Sequence, residues 1–235
     1  MAEPVIPEDL LALLQRVDTP TVCNAIEVAQ GKRGFNAYTK GTMQCSAPGE
    51  VMVGFARTAK IAGREAPTEA PEVIRARRLD YFRHMAGGPR PAIAVLEDVD
   101  YPDCVSAWWG EVHTNVHKGL GLNGALTNGV MRDLGDLAEA FPVVAGSIGP
   151  SHAFVHVREL GTPVNVMGMT VATGDLVHAD RHGGVVIPPE VIPDLKAAIE
   201  KMWAGEQIIL GPAKADDFDL DKLLTAWAAF EKART

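Results

Sequence analysis

Two rhythms of apolar positions alternate along the chain. Near the N-terminus, Pro7-Glu8-Asp9 opens onto Leu10, Leu11, Leu13 and Leu14, the spacing of a short helix. Asp18-Thr19-Pro20 offers a capping carboxylate followed by proline and predicts a second helix through Val22, Ile26 and Val28 to Gly31. Residues 32–49 lose the rhythm and read as an irregular connection. Val51-Met52-Val53-Gly54-Phe55-Ala56 reads as a strand, and Ala92-Ile93-Ala94-Val95-Leu96 is a short apolar run of the kind expected of a strand covered on both faces. Between them, 63–71 reads as a loop and 72–85 as a helix. A helix is predicted from Gly110 to about Leu120, with Val112, Val116 and Leu120 four apart on its expected buried face. There follow a strand over 123–127, an Asn128-Gly129 turn, a short helix near 134–140 and a strand at 142–145. Short strands are predicted at 153–157, 164–167, 175–178 and 185–187, then helices over about 190–203 and 217–232.

This order predicts one α/β domain over residues 1–235, with its core at about 50–190 and a helical C-terminal extension over about 190–235. A hydrophobic content of 47% with 22% charged residues is that of an ordinary globular protein. A net charge of −8 argues against a nucleic-acid partner, which needs concentrated Lys and Arg. Three cysteines (Cys23, Cys45, Cys104) without metal-knuckle spacing fit a reducing compartment. No apolar run approaches the roughly 18–20 residues that span a bilayer. Met1-Ala2-Glu3-Pro4 carries no leader pattern, so a cytoplasmic location without membrane association is expected.

Chemistry concentrates at Gly110-Glu111 and at Arg132-Asp133, with twenty residues between the glutamate and the arginine. Arginine grips a carboxylate through a planar fork and keeps its charge. Asp133 and Glu111 offer hard oxygen ligands to a cation such as Mg²⁺, which needs only one or two protein carboxylates. The amides of Val112 and His113 at the start of the predicted helix are placed to meet an anion. Together these residues fit chemistry in which a cation offsets charge on a keto oxygen while Arg132 and amides hold the carboxylate. A surface ion pair gives the same residue types, so the pattern alone leaves both readings open.

Gly110-Glu111, the spacing to Arg132-Asp133, Phe141-Pro142-Val143, Gly174-Asp175 and Asp180-x-x-Gly183-x-Val185-Val186-Ile187-Pro188 resemble the regulator of ribonuclease activity A-like family. The resemblance is close over roughly 90–190. It points to the branch of 4-hydroxy-4-methyl-2-oxoglutarate/4-carboxy-4-hydroxy-2-oxoadipate aldolases. It implies a β/β/α swivelling-domain (phosphohistidine-domain-like) core flanked by N- and C-terminal helices, assembled as a homotrimer or homohexamer with the site near a subunit interface. It further implies a class II aldolase that needs Mg²⁺, Mn²⁺ or another divalent cation. Such an enzyme cleaves a 4-hydroxy-2-oxo acid to pyruvate and a second carbonyl compound, with oxaloacetate decarboxylation as a side activity. Carried onto this chain, Arg132 binds the pyruvyl carboxylate, Asp133 holds the metal, Glu111 assists it and moves protons, and Gly110, Val112 and His113 complete the substrate pocket. Thr127-Asn128-Gly129 departs from the Val-Asp-Gly common in the family, and Trp108-Trp109 stands where smaller residues are frequent. The same resemblance admits a non-catalytic protein that binds a ribonuclease complex. A lyase or hydrolase acting on another carboxylated substrate is the third reading.

Other residues carry blander readings. His113 and His117, four apart on a helix, have zinc-ligand spacing, as would His152 and His156 if helical, but the latter pair reads as strand. Lys118 reads as a solvated lysine rather than a Schiff-base former, and Cys104 as an inert thiol. Trp108 and Trp109 read equally as pocket wall or core. Gly119-Leu120-Gly121-x-x-Gly124 follows a helix instead of opening one and is no dinucleotide loop.

Overall fold

The segments 51–56 and 92–96 become neighbouring strands at the centre of an eight-stranded sheet in the computed structural model, which describes residues 5–234. Met1–Pro4, read above for a leader, lie outside the described residues. In chain order the elements are α1 (Glu8–Leu14), α2 (Thr19–Gln30), β1 (Gln44–Cys45), β2 (Met52–Ala62), α3 (Pro71–Ala86), β3 (Ala92–Asp98), β4 (Ala107–Trp109) and α4 (Glu111–Gly119). Then come β5 (Leu122–Thr127), β6 (Val130–Met131), β7 (Val143–Ala145), β8 (Ser147–Ile148), β9 (His156–Leu160), β10 (Val164–Val166) and β11 (Met169–Val171). The chain closes with β12 (Leu176–Asp180), β13 (Gly183–Ile187), α5 (Ile192–Ala213) and α6 (Leu220–Arg234).

The main sheet runs β1-β7-β5-β3-β2-β12-β13, with β2, β3, β5 and β7 parallel, and its eighth strand, β9, pairs antiparallel with the far end of β2. Both faces of its centre are covered. Ala94 and Leu96 of β3 pack with Tyr81 and Met85 of α3, while Ile93 and Val95 face Val164, Val166 and Met169 of the β10–β11 hairpin. Val53 and Phe55 at the start of β2 join α1, α2 and α5 in a separate helical cluster. A small parallel sheet, β4-β6-β8, stands apart from this layer and carries the site.

Helix α2 begins where expected. Asp18 Oδ1 accepts the Thr21 N–H at 2.9 Å, and Gly31 ends the helix at φ +66°. The Asp180-x-x-Gly183 segment proves to be its anchor. Asp180 accepts N–H bonds from Thr19 (3.0 Å) and His182 (2.8 Å), so the first turn of α2 is tied to the β12–β13 hairpin. Burial alone would raise the Asp180 pKa, but those bonds outweigh it and hold it low. His178 is buried beside it, between the Thr19 hydroxyl and the Leu14 carbonyl, each 3.0 Å from a ring nitrogen.

Several expectations fail for identifiable reasons. The strand expected at 51–56 is β2, which runs on to Ala62 because its polar residues find partners. The Thr58 hydroxyl donates to the Thr162 carbonyl, and Lys60 pairs with Glu159 at 3.0 Å. No helix forms at 134–140, since Asp133 and Ala140 bracket it at φ +56° and +52° and the Ala138 N–H goes to Thr114 Oγ1. The strand expected at 153–157 starts only at His156, after Ala153 at φ +41°. In α4 the apolar spacing is misleading: Val112 and Val116 face solvent, whereas Thr114 and His117 are buried. Trp108 and Trp109 are core, at 3% and 0% exposure. Among the described residues no helix is long and apolar enough to cross a membrane.

Candidate functional site

Glu111, Arg132 and Asp133 meet because two short strands deliver them side by side. Ala107 and Trp109 of β4 lie opposite Val130 and Met131 of β6, and the Trp109 carbonyl accepts the Arg132 N–H at 2.8 Å. Pairing therefore extends to the first site residue. Gly110 then enters α4 in extended backbone (φ −156°, ψ −171°) with no side chain to cap the helix. Asp133 supplies that cap from across the sheet, its Oδ2 accepting the Glu111 N–H at 3.1 Å. Its left-handed backbone is one that aspartate tolerates better than most residues. Asp133 Oδ1 lies 3.4 Å from Arg132 Nη1.

Space at Gly110 is part of this construction. A Cβ there would fall 2.5 Å from Asp133 Oδ2 and 3.1 Å from Arg132 Cγ. Glu111 is exposed, and the Arg132 and Asp133 side chains keep 32% and 29% of their surface open. Each carboxylate oxygen retains lone pairs beyond the contacts it makes. Both carboxylates are hard oxygen donors, the type Mg²⁺ and Mn²⁺ prefer, and among the described residues no group of three or more His, Cys, Asp or Glu is gathered to hold a metal. The Thr114 N–H bonds back to the Gly110 carbonyl, so by helix geometry the amides of Val112 and His113 precede the first intrahelical bond. The Val112 side chain points to solvent.

His113 sits differently from the other predicted residues. Its ring packs against Trp108 at 4.2 Å between centroids and stacks on Phe82 at 6.2 Å, so its amide rather than its imidazole belongs to the site. His117, one turn on, is tied by one ring nitrogen to the His113 carbonyl and by the other to Tyr81 Oη, both at 2.6 Å. That occupation leaves it no lone pair for zinc. Lys118 donates to the Glu139 carbonyl. Burial pushes the Cys104 thiol pKa up, and the acidic neighbour Asp98 adds to this.

Desolvation lowers the pKa of His113 to about 3 and of His117 to about 4. His178 moves the same way for the same reason. A folded pKa below the unfolded one means that stability is fully present above the unfolded value, about 6.5, and is lost as pH falls through the folded value. For His117 this should cost up to about 1.4 kcal/mol per pH unit between those limits. Urea denaturation of wild type and His117→Gln between pH 7 and 5 checks this. The variant's curve should fall less steeply, and parallel curves would refute the assignment.

The sequence displays the three charged residues but not what brings them together, namely the Trp109 carbonyl and the capping role of Asp133. The one available signal was a helix start at Gly110 with no capping side chain of its own.

Residues 19–186 match the family model described as RraA-like (Aldolase/RraA). The chain belongs to the RraA-like family. The matched span runs from the first residue of α2 into β13 and includes every residue of the site. An uncharacterized protein of Methanocaldococcus jannaschii is 33% identical over 92 residues, 38% of this chain and 44% of that relative. The match thus spans less than half the length of that protein. An uncharacterized protein of Pseudomonas syringae pv. tomato superposes with a TM-score of 0.69 at 20% identity over 97% of both chains. A Streptomyces coelicolor protein, described as an unusual member of the RNase ES inhibitor RraA family, gives 0.65 at 20% identity over 92% of this chain and 100% of its own. At such identity the likeness speaks to the shared RraA-like fold, a mixed α/β architecture with a curled sheet.

Proposed function

We propose that this RraA-like protein is a divalent-metal-dependent carbon–carbon lyase that cleaves a 4-hydroxy-2-oxo acid to pyruvate and a second carbonyl compound. The observation that carries this reading is the presentation of Arg132 and Asp133 side by side at the start of α4, solvent-open and tied to Glu111. Arg132 grips the substrate carboxylate through its fork, and the amides of Val112 and His113 add donors on the same side. Asp133 and Glu111 would hold Mg²⁺ or Mn²⁺, largely through water. When bound, the cation supplies positive charge for the keto oxygen as the C3–C4 bond breaks. Glu111 takes the proton of the 4-hydroxyl, C4 becomes a carbonyl, and the bonding pair passes to C3 of the pyruvyl fragment. A proton returned to C3 completes pyruvate. Decarboxylation of oxaloacetate leaves the same fragment and is the expected side activity.

The test is a coupled assay of pyruvate release from a panel of 4-hydroxy-2-oxo acids, with Mg²⁺ and with chelator. Release that stops on chelation and returns with metal is the expected result. Silence across the panel overturns the lyase reading and turns attention to binding of a ribonuclease complex.

A further inference from the structure

The segment that leads into Arg132 and Asp133 is held upstream by a side chain acting as backbone. The parallel β3–β5 ladder has its last rung at Leu96 and Thr127. One residue on, Asn128 Oδ1 accepts the Asp98 N–H at 2.7 Å and Asn128 Nδ2 donates to the Asp98 carbonyl at 3.1 Å. Both residues are buried. A carboxamide offers an acceptor and a donor side by side, which is what the two polar groups of one residue's main chain require.

The main chain around Asn128 is equally confined. A Cβ on Gly146 would come within 2.2 Å of the Asn128 carbonyl oxygen, and one on Gly129 within 3.0 Å of Asp98 Cβ. The Gly129 N–H bonds to Thr127 Oγ1 at 3.0 Å. Immediately afterwards the chain enters β6, two residues long, and delivers Arg132 and Asp133. Two rungs carry little register information of their own. The point at which the strand starts decides where the guanidinium and the carboxylate end.

We propose that Asn128 is a positioning residue, whose side-chain amide clamps the end of β5 to Asp98 and so sets the register of Arg132-Asp133 against Glu111. The inference deepens the lyase reading and rests on it only where activity is measured. Aspartate is the discriminating replacement. Ionised, it keeps the bond from the Asp98 N–H but turns an oxygen towards the Asp98 carbonyl. Protonated, it regains a donor and with it the clamp. The titratable groups facing this point are Asp98, the last residue of β3, Asp100 just beyond it and Cys104 on the following loop, all acids. Burial already pushes the Asp98 carboxyl up, and an introduced carboxyl beside it moves in the same direction.

Hydrogen exchange of segment 128–136 and kcat/KM for pyruvate release are to be followed from pH 8 to 5 in wild type, Asn128→Asp and Asn128→Ala, each as a ratio to wild type. At pH 8 both variants should exchange this segment about tenfold faster than wild type and lose at least about tenfold in kcat/KM. On acidification Asn128→Asp should return towards wild type in both measures, while Asn128→Ala does not. Should Asn128→Asp not fold at pH 8, recovery of its thermal transition near pH 5.5 is the same signature. Variants that track wild type at every pH, or an aspartate variant that never departs from the alanine one, overturn the proposal. Exchange does not depend on the reaction. Acid recovery of exchange in a protein that releases no pyruvate upholds the clamp and sinks the lyase reading, and the loss of recovery in an active enzyme does the reverse.

Discussion

Asp133→Asn is expected to lower kcat/KM for pyruvate release by about 10²–10³-fold, ~3–4 kcal/mol of transition-state stabilisation. Asparagine is chosen because Asp133 has two duties. It caps α4 through the Glu111 N–H at 3.1 Å, and it occupies φ +56°. Asparagine keeps an acceptor oxygen for the cap and tolerates the left-handed backbone, so the fold is preserved. Only the charge is lost, and charge is what a divalent cation requires. A Mg²⁺ titration of the variant should therefore show little activation. Arg132→Lys is the companion measurement. It keeps the charge but not the fork, and should act mainly by raising KM, because the grip on the carboxylate is common to bound substrate and transition state. Wild-type turnover in both variants at saturating Mg²⁺ would remove the assigned roles.

Gly110→Ala should separate the site from the fold. Alanine is at ease in the extended backbone of Gly110, and Gly→Ala by itself stabilises a compatible position by about 0.4–1 kcal/mol through the unfolded state. The added methyl would meet Asp133 Oδ2 at 2.5 Å and Arg132 Cγ and Nε at 3.1 and 3.2 Å. These are atoms of partly exposed side chains that can swing away, at the loss of a cap worth about 1 kcal/mol. The thermal midpoint should stay within a few degrees of wild type. Activity should not survive so well. A displacement of about 1 Å at reacting groups costs about 10²-fold, and both Arg132 and Asp133 must move. Melting curves and kcat/KM on the same preparation decide the matter, and an active Gly110→Ala enzyme would mean that the Asp133 position seen here is not the working one.

Local chemistry explains which parts of the molecule were readable. The run 92–96 predicted a doubly covered strand, and β3 is one, with alternate residues in two different clusters. Asp18 and Gly31 marked the ends of α2 because caps and left-handed glycine are properties of a few consecutive residues. Where tertiary partners took over, the reading failed. Thr58 and Lys60 look like the end of a strand until their partners at Thr162 and Glu159 are seen. Val112 and Val116 look like a buried stripe, yet the buried side of α4 carries Thr114 and His117 because Tyr81 and the Gly110 carbonyl satisfy their polar atoms.

The same division runs through the site. By itself the sequence determined which residue types are available: Glu111 at a helix start, Arg132-Asp133 after a strand, and a glycine between strand and helix. Their identities are covalent facts, and the helix and strand signals around them are local. Tertiary structure alone decided that these groups share one place. Parallel pairing of β4 with β6 is a contact between segments more than twenty residues apart, and it lets Asp133 cap a helix that Gly110 cannot. It also decided the work of Asn128, which reads as a turn residue in sequence and acts as a rung between strands in the fold.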